Sequence, residues 1–121
     1  MPHLHMEYTD NLPTLNPDVA LLRLNQALVA SGQFSAEYEI KSRAVQVARF
    51  RVGTGLGERG FVHVKLALLS GRSPEVKKQL SDSLLAVVQE LCEWPAGVEL
   101  QLCVEIKDIE RASYSKIFLG Q

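Results

Sequence analysis

Apolar and polar residues alternate from the first positions of the chain. Within residues 1–8, the apolar Leu4, Met6 and Tyr8 are separated by polar side chains. A period of two is typical of a strand with one buried face. We therefore predict a strand that ties the amino terminus into the fold.

Two later segments repeat with the period of a helix, and each begins at a proline. The first opens at Asn16-Pro17-Asp18, where Asn can cap free backbone N–H groups, Pro fits the first helical position and Asp complements the positive end. Gly32 is its predicted stop. The second opens with the similar run Ser73-Pro74-Glu75 and ends at Trp94-Pro95.

Three more segments, residues 38–50, 61–69 and 100–106, have the composition or alternation of strands. The order is therefore β-α-β, a glycine-rich loop at residues 53–60, and β-α-β again. That loop lacks the Gly-Lys-Ser/Thr ending of a phosphate-binding loop, and a strand pattern follows it. We predict a flexible, hairpin-type connection there.

The repeated order predicts an α+β (α/β) fold in a single domain over residues 1–121, with pseudo-repeated units at about 2–50 and 61–109. Helix crossovers of this length join parallel strands. Two such units predict a four-stranded mixed sheet with both helices on one face. The uncovered face needs another covering, and a symmetric oligomer supplies one.

Composition and charge exclude several classes of function. The formal net charge is only −1, which argues against a nucleic-acid or anionic-membrane surface. The sequence has no apolar run of membrane-span length and no leader pattern, so we expect a cytoplasmic protein. Cys92 and Cys103 lie in apolar-patterned segments, which predicts buried free thiols. His3, His5 and His63 lack acidic or thiol partners at ligand spacing, which favours structural roles over metal binding.

Pro2 is the unusual chemical group of the chain. If Met1 is removed, Pro2 has a free secondary amine. A model terminal amine titrates near ~7.7–8.0 and proline higher, but an apolar pocket or nearby cations lower that value. A base poised near neutral pH suits proton abstraction next to a carbonyl. The alternative interpretation is that Pro2 only begins an edge strand, where its missing N–H costs nothing.

Three cations are candidates for anion binding. Arg72 lies at a strand-to-helix turn whose free N–H groups attract anions, and its planar guanidinium suits a carboxylate. An exposed Arg beside a helix cap is the alternative. Lys41 and Arg43 are two positions apart on a predicted strand, so they share one face. That face either binds an anion or is an ordinary surface, exposed to solvent or covered by an interface.

Several segments together resemble one enzyme family, 5-carboxymethyl-2-hydroxymuconate isomerase, which belongs to the tautomerase superfamily with 4-oxalocrotonate tautomerase and macrophage migration inhibitory factor. The resemblance covers nearly the whole chain, although the tail is shorter and the glycine-rich loop differs. The matching segments are Met1-Pro2-His3-Leu4, Glu7-Tyr8, Ile40-Lys41-Ser42-Arg43-Ala44, Phe61-Val62-His63-Val64, Gly71-Arg72-Ser73, Val104-Glu105-Ile106 and Tyr114-Ser115-Lys116.

The resemblance implies an enol–keto tautomerase without metal or organic cofactor, arranged as a homotrimer with active sites near subunit interfaces. Its implied substrate is 5-carboxymethyl-2-hydroxymuconate or a similar carboxylated 2-hydroxydienoate from aromatic-compound catabolism. Pro2 would be the general base, and Arg72 would hold a carboxylate or the developing enolate oxygen. Lys41 and Arg43 would bind the second carboxylate or 2-oxo group, with Arg43 favoured, and Tyr114 would be a pocket aromatic.

Two other functions stay open at the level of sequence. One is a non-catalytic trimeric binding protein that keeps only the scaffold. The other is a ferredoxin-like regulatory domain that binds small effectors, which the repeated β-α-β order also fits.

Overall fold

The structure, a computed structural model that describes residues 1–120, contains one four-stranded sheet and two α-helices. Short 3-10 turns precede the second strand and follow the last one. This succession confirms the predicted β-α-β, loop, β-α-β order. The elements are β1 (His3–Thr9), α1 (Pro17–Ala30), β2 (Lys41–Val47), β3 (Arg59–Leu69), α2 (Pro74–Gln89) and β4 (Glu99–Ile109).

The strands lie in the order β2-β1-β3-β4. Each helix connects a parallel pair, β1 with β2 and β3 with β4, while β1 and β3 are antiparallel. The mixed sheet is therefore confirmed, and the unit boundaries at residues 2–50 and 61–109 stay a prediction.

Two expectations fail because of this strand order. β1 lies between β2 and β3, so the interpretation of Pro2 as the start of an edge strand is wrong. The glycine-rich connection is not a hairpin, because β2 and β3 lie on opposite sides of β1 and do not pair with each other.

Both helices begin at the predicted caps. The Asn16 side chain accepts hydrogen bonds from the backbone N–H groups of Asp18 and Val19, at 3.0 and 3.3 Å. The Ser73 hydroxyl accepts one from Val76 at 3.2 Å. These side chains satisfy N–H groups that have no partner within their own helix. None of the helices in residues 1–120 is long and apolar enough to cross a bilayer.

The helices cover one face of the sheet and enclose the apolar core. Alternate residues of β1 and β3 point into this core, while the intervening residues lie on the opposite, open face. The fully buried core side chains include Leu4, Met6, Val62, Val64, Leu66 and Leu68 from the sheet and Leu24, Leu28, Leu84 and Val88 from the helices.

The prediction of two buried thiols is wrong for Cys103, which is exposed, and Cys92 is only half-buried. Cys103 lies on the open face of β4, because its neighbours Leu102 and Val104 take the positions that pack against the core. Both thiols are free.

The junction of β1 and β3 depends on a residue without a side chain. The buried Thr9 hydroxyl accepts a hydrogen bond from the Phe61 N–H at 3.1 Å. A β-carbon on Gly60 would lie 2.6 Å from that hydroxyl and 2.9 Å from Oδ1 of Asn11. Glycine is therefore required for the two strands to approach this closely.

We predict that Gly60→Ala lowers the free energy of unfolding by about 1–3 kcal/mol, because the added methyl group displaces the Thr9 hydroxyl and leaves the partly buried Phe61 N–H unpaired. Gly57→Ala is the matched control, since its β-carbon would meet only Glu99 Oε1, at 3.9 Å. That control should change stability by less than about 0.5 kcal/mol. Chemical denaturation at fixed protein concentration measures both, and equal stability of the two variants would contradict the account.

Candidate active site

The amino terminus is built into the centre of the sheet. Pro2 is fully buried, and its carbonyl accepts a hydrogen bond from the Lys41 backbone N–H at 3.1 Å, which extends the pairing of β1 and β2. The residue therefore has a fixed position, held by backbone pairing and by the surrounding core.

In the structure the terminal amine belongs to Met1. Charged side chains from four parts of the chain affect the pKa of this amine. Burial lowers the pKa of this amine below its ordinary value of 8.0. Glu39 raises the pKa, and Lys41, Lys116 and Arg72 lower it. The net shift is downward because burial and the cations both disfavour the protonated form. The terminus therefore lies in a partly desolvated, cationic environment.

Arg72 is held in place by its own chain. Its guanidinium donates to the carbonyl oxygens of Gln33 and Leu69, at 2.9 and 3.3 Å, and lies 5.0 Å from the centre of the Phe34 ring. Its Nε is buried and has no hydrogen-bond partner among residues 1–120. These contacts fix the direction of a guanidinium, a group whose charge suits an anionic ligand.

Arg43, His3 and Tyr114 form a hydrogen-bonded chain on the open face. Arg43 Nη2 lies 3.0 Å from His3 Nδ1, and His3 Nε2 lies 2.9 Å from the Tyr114 hydroxyl. Because arginine can only donate, His3 Nδ1 accepts, and the neutral ring carries its proton on Nε2. The pKa of His3 is lowered by burial and then by Lys41 and Arg43, which favours that neutral ring.

The sequence-predicted site residues divide into two groups. Lys41 and Arg72 lie close enough to act on the terminal amine. Arg43 and Tyr114 meet at His3 instead, and Arg43 is not among the charges that act on the amine. The roles assigned to all of them, and to Pro2, stay predictions.

Sequence reasoning missed an ion pair at the same terminus. Lys116 Nζ lies 2.5 Å from Glu39 Oε2, and Lys41 Nζ donates to the Glu39 carbonyl. No spacing rule connects two residues 77 positions apart. The available signal was Lys116 itself, which lies in the run Tyr114-Ser115-Lys116 that resembles the family.

The open face of the sheet also has a shallow cavity of about 150 Å³, which Pro2 does not line. His63 Nε2 lies 2.7 Å from Glu105 Oε1 there. Within residues 1–120, no three His, Cys, Asp or Glu side chains converge as metal ligands. The cavity is lined by His5, Met6, Glu7, Arg43, Val45, His63 and Lys65.

Comparison with protein families places the chain in a known family of enzymes. The family model for 5-carboxymethyl-2-hydroxymuconate isomerase matches residues 2–117, a range that includes Pro2, both strand cations, Arg72 and Tyr114. Comparison with curated proteins gives no match.

Solved structures share the fold over almost the whole chain. A 5-carboxymethyl-2-hydroxymuconate isomerase from Deinococcus radiodurans R1 is 34% identical, with a TM-score of 0.83, over 96% of this chain and 88% of its own. A 5-carboxymethyl-2-hydroxymuconate delta-isomerase is 18% identical, with a TM-score of 0.78, over 99% and 89%. A fused 4-OT wild-type symmetric trimer is 21% identical, with a TM-score of 0.71, over 94% and 90%.

The family model matches nearly the whole sequence, and the 34% identical structure superposes on the four-stranded mixed sheet and its two helices. The chain therefore belongs to the 5-carboxymethyl-2-hydroxymuconate isomerase family, and it is an isomerase of the tautomerase superfamily.

Proposed function

We propose that this isomerase converts 5-carboxymethyl-2-hydroxymuconate, or a similar carboxylated 2-hydroxydienoate, to its conjugated 2-oxo isomer. Pro2, exposed by removal of Met1, is the general base. The observation that carries the proposal is the burial of the amino terminus among Lys41, Lys116 and Arg72. Substrates of this class are formed during aromatic-compound catabolism, and the enzyme acts on them in the cytoplasm.

The surroundings of the terminus support a base. Because Met1 and Pro2 are adjacent, we infer that an amine on Pro2 is subject to the same charges as the amine of Met1. At Met1, burial and three cations oppose protonation of the amine, and Glu39 favours it. An amine that stays largely unprotonated near neutral pH can remove a proton from an enol.

The same cations support binding of a polyanionic substrate. The fixed guanidinium of Arg72 holds a carboxylate or the C2 oxygen. Lys41 and Arg43 bind a second carboxylate, and the Tyr114 ring packs against the substrate chain. Because Arg72 and Arg43 already have fixed hydrogen-bond partners, little reorganisation accompanies substrate binding.

The reaction moves one proton and rearranges three pairs of electrons. The Pro2 nitrogen takes the proton from the 2-hydroxyl group, and the released O–H electrons form the C2 carbonyl. The C2–C3 double bond moves to C3–C4, and the C4–C5 pair takes a proton from the Pro2 ammonium at C5. Arg72 stabilises the negative charge that develops on the C2 oxygen. Atoms and oxidation level balance without a co-reactant.

We also propose that the working enzyme is a homotrimer. The support is the trimeric assembly named for three similar fused 4-OT structures and the incompletely covered sheet face, on which Val45 is 54% exposed. A second copy of the chain can cover this face and the apolar residues of the tail. The sites then lie near the subunit interfaces.

We predict that the mature chain begins at Pro2 and that Pro2→Ala lowers kcat/KM about 10²-fold or more in a spectrophotometric ketonisation assay with 2-hydroxydienoates. Adding one residue before Pro2 should have an effect of the same size, because it converts the amine to an amide. Intact-mass measurement establishes the terminus in each preparation.

Full activity in both altered chains would exclude Pro2 as the base. If the mass shows Met1 wholly retained and the panel of dienols is not turned over, the protein is instead a binding protein on the same scaffold. Circular dichroism checks that each variant is folded.

We predict that Arg72→Lys lowers kcat/KM for carboxylated dienols about 10²-fold. A lysine ammonium cannot donate the paired, planar hydrogen bonds that a guanidinium gives to enolate and carboxylate oxygens. Arg49→Lys, at an exposed position, is the matched control and should match the wild type. Steady-state kinetics with each variant measures the difference. Unchanged kinetics in Arg72→Lys would remove this arginine from the proposed site.

A further inference from the structure

The carboxyl-terminal tail docks on the segments that flank the amino terminus. Every second residue from 114 to 118 contacts a residue near the start of β1 or β2. The pattern is that of an extended segment with one face turned to the protein. The contacts join Tyr114 to His3, Lys116 to Glu39 and Phe118 to Tyr38.

The central contact of the tail is an ion pair with restricted access to solvent. The side chains of Lys116 and Glu39 are 27% and 16% exposed, and their charged atoms lie 2.5 Å apart. The hydrogen bond from Lys116 lowers the pKa of the Glu39 carboxyl, so this group is ionised at neutral pH. Lys41 donates to the backbone carbonyl of Glu39, which leaves the carboxylate to Lys116.

The location of this pair matters more than its contribution to stability. Ion pairs near a surface stabilise a protein little. However, both members of this pair, the anion Glu39 and the cation Lys116, are among the charged groups that affect the pKa of the terminal amine. Glu39 stabilises a protonated amine, and Lys116 opposes it. A change in either residue therefore alters the charge on that amine.

We propose that Lys116 and Glu39 are a positioning pair for the amino-terminal base, in which Lys116 holds the Glu39 carboxylate and counteracts its stabilisation of the protonated amine. The inference rests on the proposed function, in which that amine belongs to Pro2. It gives the tail a role in catalysis that acts through the base and not through contact with substrate.

The direction of each effect follows from Coulomb's law. Removing Lys116 leaves the Glu39 carboxylate uncompensated, so the amine holds its proton to higher pH and less free base exists at neutral pH. Removing the Glu39 charge leaves the cations unopposed, so the amine releases its proton at lower pH. The charged or titratable groups around the amine are His3 of β1, Glu39 of the 3-10 turn, Lys41 of β2, Arg72 of the turn before α2 and Lys116 of the tail.

The test is a charge cycle in the full-length chain, with Lys116→Gln, Glu39→Gln and the double variant. The pH dependence of kcat/KM is measured with a 2-hydroxydienoate. In the acidic limb of this profile, kcat/KM falls with decreasing pH because the amine becomes protonated. Lys116→Gln should move this limb to higher pH and lower kcat/KM about three- to tenfold within it. Glu39→Gln should move the limb to lower pH, and the double variant should lie between the two.

Two further variants separate the proposed role from a structural one. Lys116→Arg keeps the charge and should retain the wild-type profile. Lys78→Gln breaks an exposed ion pair with Asp82, of 2.9 Å, on α2, and it should not move the limb. A merely structural role for the tail would lower activity at every pH without moving the limb.

Titration of the ¹⁵N-labelled amino-terminal residue by NMR follows the amine without using activity. The proposal is overturned if Lys116→Gln and Glu39→Gln move this titration in the same direction, or if neither moves it. It is also overturned if Lys116→Gln raises KM alone, because Lys116 is then a substrate ligand. Activity that survives blocking of Pro2 rejects the proposed base, while the NMR titration still decides whether the pair controls the amine.

Discussion

The backbone hydrogen bond from Lys41 to the Pro2 carbonyl is the interaction on which the candidate site depends. It pairs the second residue of the chain, which continues the interior strand β1, with the start of β2, so the amino terminus has the rigidity of the sheet. The same pairing aligns the start of β2 with the terminus. Lys41 and the preceding Glu39 therefore lie beside the terminal amine because the strands are in this register.

The remaining charges reach the terminus from distant parts of the sequence. Arg72 comes from the turn between β3 and α2, and its guanidinium is fixed by two carbonyls and the Phe34 ring. Lys116 comes from the tail and is held by Glu39. Because these side chains have partners within the chain, their charges are oriented before a substrate binds. Such preorganisation is how a protein lowers the pKa of a base and stabilises a developing enolate with the same cations.

The parts of the fold that depend on local pattern were predictable from the sequence. Alternation located the strands, and the Asn16 and Ser73 caps located the helices, because these signals lie within a few residues of each other. The edge position of Pro2 and the hairpin at the glycine-rich loop were misjudged because both depend on strand order, which no local signal contains. Cys103 was misjudged for another reason, since the alternation along β4 places it on the face opposite Leu102 and Val104. Likewise, no sequence signal paired Lys116 with Glu39, because only the folded tail brings the two residues together.

The central claim is that a buried prolyl amine, surrounded by cations, is largely unprotonated at neutral pH. The most direct measurement is an NMR titration of ¹⁵N-labelled Pro2 in the mature enzyme, compared with the pH dependence of kcat/KM. The account predicts that the amine loses its proton well below the pH expected for an exposed prolyl amine, at the same pH as the acidic limb of the activity profile. A titration like that of an exposed proline, or one that does not coincide with the activity, would contradict it.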